Sequence, residues 1–243
     1  QANFTSFMDA IDANGGTDPY DSNLLPRLAD ALRQTQSRKV VVFLHMIGSH
    51  FDYRDRYPPA FDVFRGSKGF PRQLSNWQMR LVNEYDNSVR FTDFVLRSVI
   101  GQLQACDCRA AMVYFSDHGE RLFDGGPADR DMGHGFPTVS PQEIEIPFFM
   151  YLSGQYRAAN PQLVAQLTAN THKAAQLDSL FETIVDLTGV TYEGRDASRS
   201  LFSPAYVPPR RLDFLNVWEK PISLPLDFTE AATAQRPASV ARQ

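Results

Sequence analysis

Apolar positions along this chain alternate between two patterns. Val40-Val41-Val42-Phe43-Leu44-His45-Met46-Ile47 and Ala110-Ala111-Met112-Val113-Tyr114-Phe115 are continuous runs of strand length, rich in β-branched and aromatic residues. Each breaks on a polar turn, which predicts strands buried on both faces. Ile144 to Leu152 predicts another strand, with Pro147 placing its first part at a sheet edge or bulge. Between these runs the apolar residues recur at helical spacing. Leu24, Leu28 and Leu32 predict a helix that Asp21 or Asn23 can cap, with Pro26 in its first turn. Trp77, Leu81, Tyr85, Val89, Leu96, Val99 and Leu103 form one stripe on a long helix from Leu74 to about Leu103. Arg80 with Glu84 and Asp93 with Arg97 make its solvated face, and Tyr85-Asp86-Asn87 is expected to anchor it to neighbouring backbone. Leu177 to Leu187 predicts a helix opened by a Ser179-x-x-Glu182 capping box and stopped by Gly189. Strands alternating with helices predict an α/β class, a doubly wound and mostly parallel sheet covered on both faces.

Composition narrows the classes. A chain of 243 residues, 43% hydrophobic, is long enough for one large core, expected over residues 1–215. Residues 216–243 read as a Pro-rich then low-complexity tail, disordered from Thr229 onward. The formal charge of −4, with no block of Lys and Arg, excludes nucleic acid as the expected partner. No apolar run approaches the roughly 18 residues needed to span a bilayer. Residues 1–20 read as an irregular lead-in, and Gln1-Ala2-Asn3-Phe4 is not a natural start, so the chain is expected to be a piece of something longer. Cys106 and Cys108 have a spacing that rarely suits a disulfide, and they are expected to be two ordinary thiols in a loop before a strand, with a strained redox pair as the alternative.

The chemistry lies at the strand ends. The run ending at Phe115 is followed by Ser116-Asp117-His118-Gly119-Glu120, and in open α/β sheets the crevice beyond the carboxyl ends of the strands is the usual ligand site. Asp117 and His118 can bind one divalent cation if the backbone turns sharply, a freedom Gly119 supplies. The run ending at Ile47 delivers His50 after Gly48-Ser49, and the loop from Arg121 to Ser140 carries Gly133-His134-Gly135. Asp and His are borderline ligands suited to zinc, and so few of them leave positions open for a substrate oxygen. Phe51 to Pro71 is long enough to act as a lid.

Leu44-His45-Met46-Ile47-Gly48-Ser49-His50, Tyr85-Asp86-Asn87-Ser88, Tyr114-Phe115-Ser116-Asp117-His118-Gly119-Glu120, Gly133-His134-Gly135 and Ile146-Pro147-Phe148-Phe149 occur in the order seen in bacterial phosphoethanolamine transferases. Over roughly residues 20 to 215 the chain resembles that family, part of the alkaline phosphatase and sulfatase superfamily. The resemblance implies a three-layer α/β/α sandwich with zinc held by Asp117 and His118. His50 and His134 would contact the phosphoryl group or a second zinc, adding little to stability, while His45 serves the fold. The implied reaction moves phosphoethanolamine from phosphatidylethanolamine to lipopolysaccharide, on the core or lipid A, through a covalent enzyme intermediate, and the core-modifying branch is the better match. The implied place is the periplasmic face of the bacterial inner membrane, reached through an N-terminal membrane domain. The family's upstream Glu ligand and Thr nucleophile have no counterpart here, so this stretch alone is expected to be inactive. A sulfatase or phosphodiesterase would use the same metal ligands, and an inert anion-binding domain would need no nucleophile.

Overall fold

A computed structural model of the chain describes residues 20–34, 39–66, 74–125, 129–135, 139–215 and 221–227. Its elements are α1 (Leu24–Gln34), α2 (Asn76–Ala105), β1 (Ala111–Phe115), β2 (Arg121–Leu122), β3 (Met132–Gly133), α3 (Pro141–Ile144), β4 (Phe148–Leu152), α4 (Gly154–Ala159), α5 (Pro161–Asn170), α6 (Leu180–Thr188), β5 (Arg211–Leu215) and β6 (Pro221–Pro225), with short 3-10 turns between them. The expected α/β class holds. The chain forms two compact units, one of Gln1–Asp107 with Leu122–Gly133, the other of Cys108–Arg121 with His134–Gln243.

The first unit is built on α2, which opens where Ser75 Oγ accepts the Gln78 N–H and Gln78 Oε1 accepts the Ser75 N–H, a capping box that satisfies two orphan donors. Its apolar side chains Tyr57, Phe91 and Val95 are buried, packed by Tyr20, Leu25, Met46 and Phe61. The buried face differs from the expected stripe. Trp77 and Val89 are exposed, whereas Gln78, Asn83, Asn87 and Ser88 are buried. Polar residues take the inner face because their hydrogen bonds are made there. Asn87 Oδ1 accepts the Val63 and Phe64 N–H groups at 3.0 and 2.9 Å, and its Nδ2 donates to Asp62 Oδ1 and Phe64 O. This is the anchoring role expected within Tyr85-Asp86-Asn87. Asn87→Ala would orphan two backbone donors and is expected to cost about 3 kcal/mol. Urea unfolding of the purified chain checks it, and a loss below about 1 kcal/mol would mean that water replaces the amide.

Val40–Ile47 departs from expectation. It belongs to no strand among the described residues, with Val41 and Phe43 61% and 75% exposed and Val42, Leu44 and Met46 partly buried. A continuous apolar run reports what must be covered, not which neighbour supplies the ladder. The turn after it is fixed by Asp21, whose carboxylate accepts the Ile47 and Gly48 N–H groups at 2.9 and 2.8 Å. Asp21 therefore serves this turn from within the 3-10 turn Asp21–Asn23 that leads into α1. Burial pushes its carboxyl above the ordinary value, against the pull of those two donors.

In the second unit β1 pairs with β4 antiparallel, Val113 opposite Met150, so the parallel pairing expected of β1 is not what these residues show. Residues 145–147 stay outside β4, because Pro147 cannot donate to a ladder. Gly189 closes α6 in the left-handed conformation, φ 65°, as expected of a helix-stopping glycine. Ser179 makes no side-chain cap on α6, and Glu182 instead accepts from the Tyr192 hydroxyl and the Asp196 N–H. A β5–β6 hairpin pairs Leu215 with Pro221, across the boundary expected after residue 215. The expected disorder from Thr229, and the lead-in of residues 1–19, lie outside the described residues. Cys106 and Cys108 are both disulfide-bonded, contrary to the expected pair of thiols. Asp107 between them adopts a left-handed backbone, φ 48°, which brings residues so near in sequence within bonding reach. No helix among the described residues is long and apolar enough to cross a membrane.

Candidate metal and phosphoryl site

The second unit gathers its chemistry just past β1. Ser116 Oγ donates to His118 O at 2.6 Å, and Asp117 Oδ1 accepts the His118 N–H at 3.0 Å, local bonds that turn the chain back on itself. Asp117 Oδ2 and His118 Nε2 end 3.8 Å apart, the Asp117 side chain 87% exposed and that of His118 37%. The other ring nitrogen of His118, Nδ1, lies 2.9 Å from Gly119 O. Donation from Nδ1 to a carbonyl fixes the tautomer that leaves Nε2 with its lone pair outward, the arrangement typical of a metal-ligating imidazole. The carboxylate and imidazole donors therefore fit a zinc ion in kind and in spacing.

Gly119 plays a different part from the expected one. It is absent from the left-handed glycines, so its freedom of φ is not what the turn uses. A Cβ at this position would lie 2.1 Å from the Gln142 carbonyl oxygen, and the Gly119 N–H donates to Glu143 O at 2.7 Å. The residue is needed for space, because two backbones meet there. Freedom of φ matters instead around His134, where Gly133 and Gly135 have φ of 100° and 80°, values costly for a residue with a Cβ.

His134 stands beside His118, ring centroids 3.7 Å apart. Its Nδ1 lies 2.8 Å from Oε1 of Glu120, whose side chain is only 6% exposed. One ligating atom from each of His118, Glu120 and His134 lies within 4.8 Å of the others. The structure thus brings together three of the four residues singled out in the sequence, Asp117, His118 and His134, and adds Glu120. Within its motif Glu120 carried no signal beyond following the Asp-His-Gly turn. The tie to buried Glu120 gives His134 a part in stability, contrary to the small contribution expected of it. His50 belongs to the first unit, exposed after the Gly48 turn, with Nδ1 3.4 Å from Phe51 O and its carbonyl oxygen accepting from Arg56 Nε.

A family model described as sulfatase matches residues 2–190. Phosphoethanolamine transferase EptC of Escherichia coli K12 is 30% identical over 188 residues, 77% of this chain and 32% of the relative. Phosphoethanolamine transferase CptA of Salmonella typhimurium is 31% identical over the same shares of the two chains. The chain therefore spans about a third of the length of these curated relatives. Among solved structures, the C-terminal periplasmic domain of EptC from Escherichia coli superimposes with a TM-score of 0.78 at 27% identity, covering 87% of this chain and 58% of that one. Its complex with Zn gives the same TM-score at 26% identity, covering 93% and 59%.

Proposed function

This chain belongs to the sulfatase family, and from that premise we propose that it is part of a transferase that moves phosphoethanolamine from phosphatidylethanolamine to lipopolysaccharide at the periplasmic face of a bacterial inner membrane. The observation that carries the reading is the pairing of Asp117 Oδ2 with His118 Nε2 at 3.8 Å, with His118 Nδ1 committed to a carbonyl. Asp117 and His118 would hold zinc, and the ion supplies Lewis-acid polarisation of a phosphoryl oxygen. The roles left to the chain are orientation and charge. Glu120 holds His134 by Nδ1, and an imidazole so oriented would neutralise charge on the transferred group or deliver the leaving group's proton. His50 takes the same kind of role from the loop after Gly48. The nucleophile that would carry the covalent intermediate is assigned to residues outside this stretch.

Mass spectrometry of lipopolysaccharide from cells with and without the parent gene tests the reading. One added phosphoethanolamine group in expressing cells is expected, and its absence contradicts the proposal. Within the full-length enzyme, His50→Ala and His134→Ala are each expected to lower kcat on the order of 10²-fold. Their stabilities separate them. His50→Ala should stay within about 0.5 kcal/mol, as for a surface site, and His134→Ala should lose about 1 kcal/mol with its bond to buried Glu120. Parallel thermal unfolding of the two variants makes the comparison, and equal stability losses would contradict the assigned environments.

A further inference from the structure

The two loops that carry His118 and His134 are held by one residue between them and β4. Glu143, in the single turn of α3, is 6% exposed. Its backbone carbonyl accepts the Gly119 N–H at 2.7 Å, one residue after His118. Its Oε1 accepts the Gly135 N–H at 3.0 Å, one residue after His134. Its Oε2 accepts the Ser140 N–H at 2.9 Å and the guanidinium of Arg121, whose Nε and Nη2 each stand 2.6 Å away. Arg121, itself 7% exposed, follows Glu120 directly and also donates from Nε to Ser140 Oγ at 3.1 Å. Both loops are thus tied to the same carboxyl-bearing residue in a site with little water, where charge-assisted hydrogen bonds are strong and an uncompensated partner is costly.

The geometry points to Glu143 as a positioning residue for the transfer site. Through its backbone oxygen and carboxylate it sets the separation of the His118 and His134 imidazoles, and Arg121 holds the carboxylate in place. The inference rests on the phosphoryl-transfer reading for its catalytic consequence and on this chain alone for its structural one. A carboxylate suits the site because the Gly135 and Ser140 N–H groups and the Arg121 guanidinium, which meet its two oxygens, are all donors. An amide would turn its own donors toward one of them. The length is required as well, since a side chain one methylene shorter cannot reach Gly135 while keeping Arg121.

The test compares Glu143→Asp and Glu143→Gln with the parent by NMR of chain labelled at histidine and at the β1 and β4 residues. Imidazoles with centroids 3.7 Å apart give a ring-to-ring NOE, and the β1–β4 register gives NOEs between Val113 and Met150 that report the fold separately. In Glu143→Asp the strand NOEs are expected to persist while the NOE between the imidazoles is lost or strongly weakened. In the full-length enzyme kcat should fall about tenfold or more with KM nearly unchanged, the signature of a displaced group and not of lost substrate binding. An unchanged imidazole NOE in a folded variant overturns the inference. So does loss of the strand NOEs in both variants with activity falling only as the folded fraction, which would make Glu143 a residue of the fold alone. A wild-type enzyme with no transferase activity contradicts the proposed function instead, because the NOE comparison needs no turnover.

Discussion

Gly119→Ala is expected to be a severely damaging single-methyl change. The added Cβ would stand 2.1 Å from Gln142 O, with Gln142 C and Glu145 O at 3.2 and 3.3 Å. The nearest atoms belong to the backbone, so no rotamer relieves the overlap. Relief requires the turn after His118 to move away from α3, which breaks the 2.7 Å bond from Gly119 N–H to Glu143 O. A displacement of about 1 Å at a reacting site is enough for a loss of about 10²-fold in rate, and an overpacked core position costs about 1–3 kcal/mol besides. Assay of the full-length variant, with thermal unfolding on the same preparation, checks both effects. A variant with parental activity and melting temperature would show that the loop approach is looser than described.

Asp117→Ala and His118→Ala are expected to lower the transferase activity of the full-length enzyme on the order of 10³-fold, the upper range for losing one group that stabilises transferred charge. Their cause should be visible in what does not change. Asp117 is 87% exposed at its side chain, so its removal should leave stability within about 0.5 kcal/mol. Activity lost without stability is the pattern of a ligand. Stability lost in proportion to activity would make the Asp-His turn a structural feature of β1.

The parts of this site that were legible in the sequence were those written in consecutive residues. Asp117-His118-Gly119 stands where an apolar run stops, and His134 stands between two glycines that the backbone uses in left-handed conformations. What escaped was written across distance. Arg121 and Glu143 are 22 residues apart and meet as a buried pair, and nothing periodic announces such a contact. Ser140-x-x-Glu143 has the same spacing as Ser179-x-x-Glu182, yet only Glu143 turns back to its Ser N–H, while Glu182 serves Tyr192 and Asp196. Both side chains chose among donors that tertiary structure supplied. The α/β class followed from alternation of patterns, but strand pairing did not, since the run ending at Phe115 would read the same beside any neighbour. The inner face of α2 was misplaced for a related reason. A periodicity of apolar residues cannot see that Gln78 and Asn87 are buried because each finds its partners.

The central claim is that Asp117 and His118 hold the zinc on which transfer depends. Equilibrium dialysis of the purified chain, of Asp117→Ala and of His118→Ala against buffered zinc, followed by elemental analysis, tests it most directly. The account predicts zinc retained by the parent chain and lost from both variants, with the β1–β4 pair intact in all three. Equal zinc in the parent and both variants would contradict it.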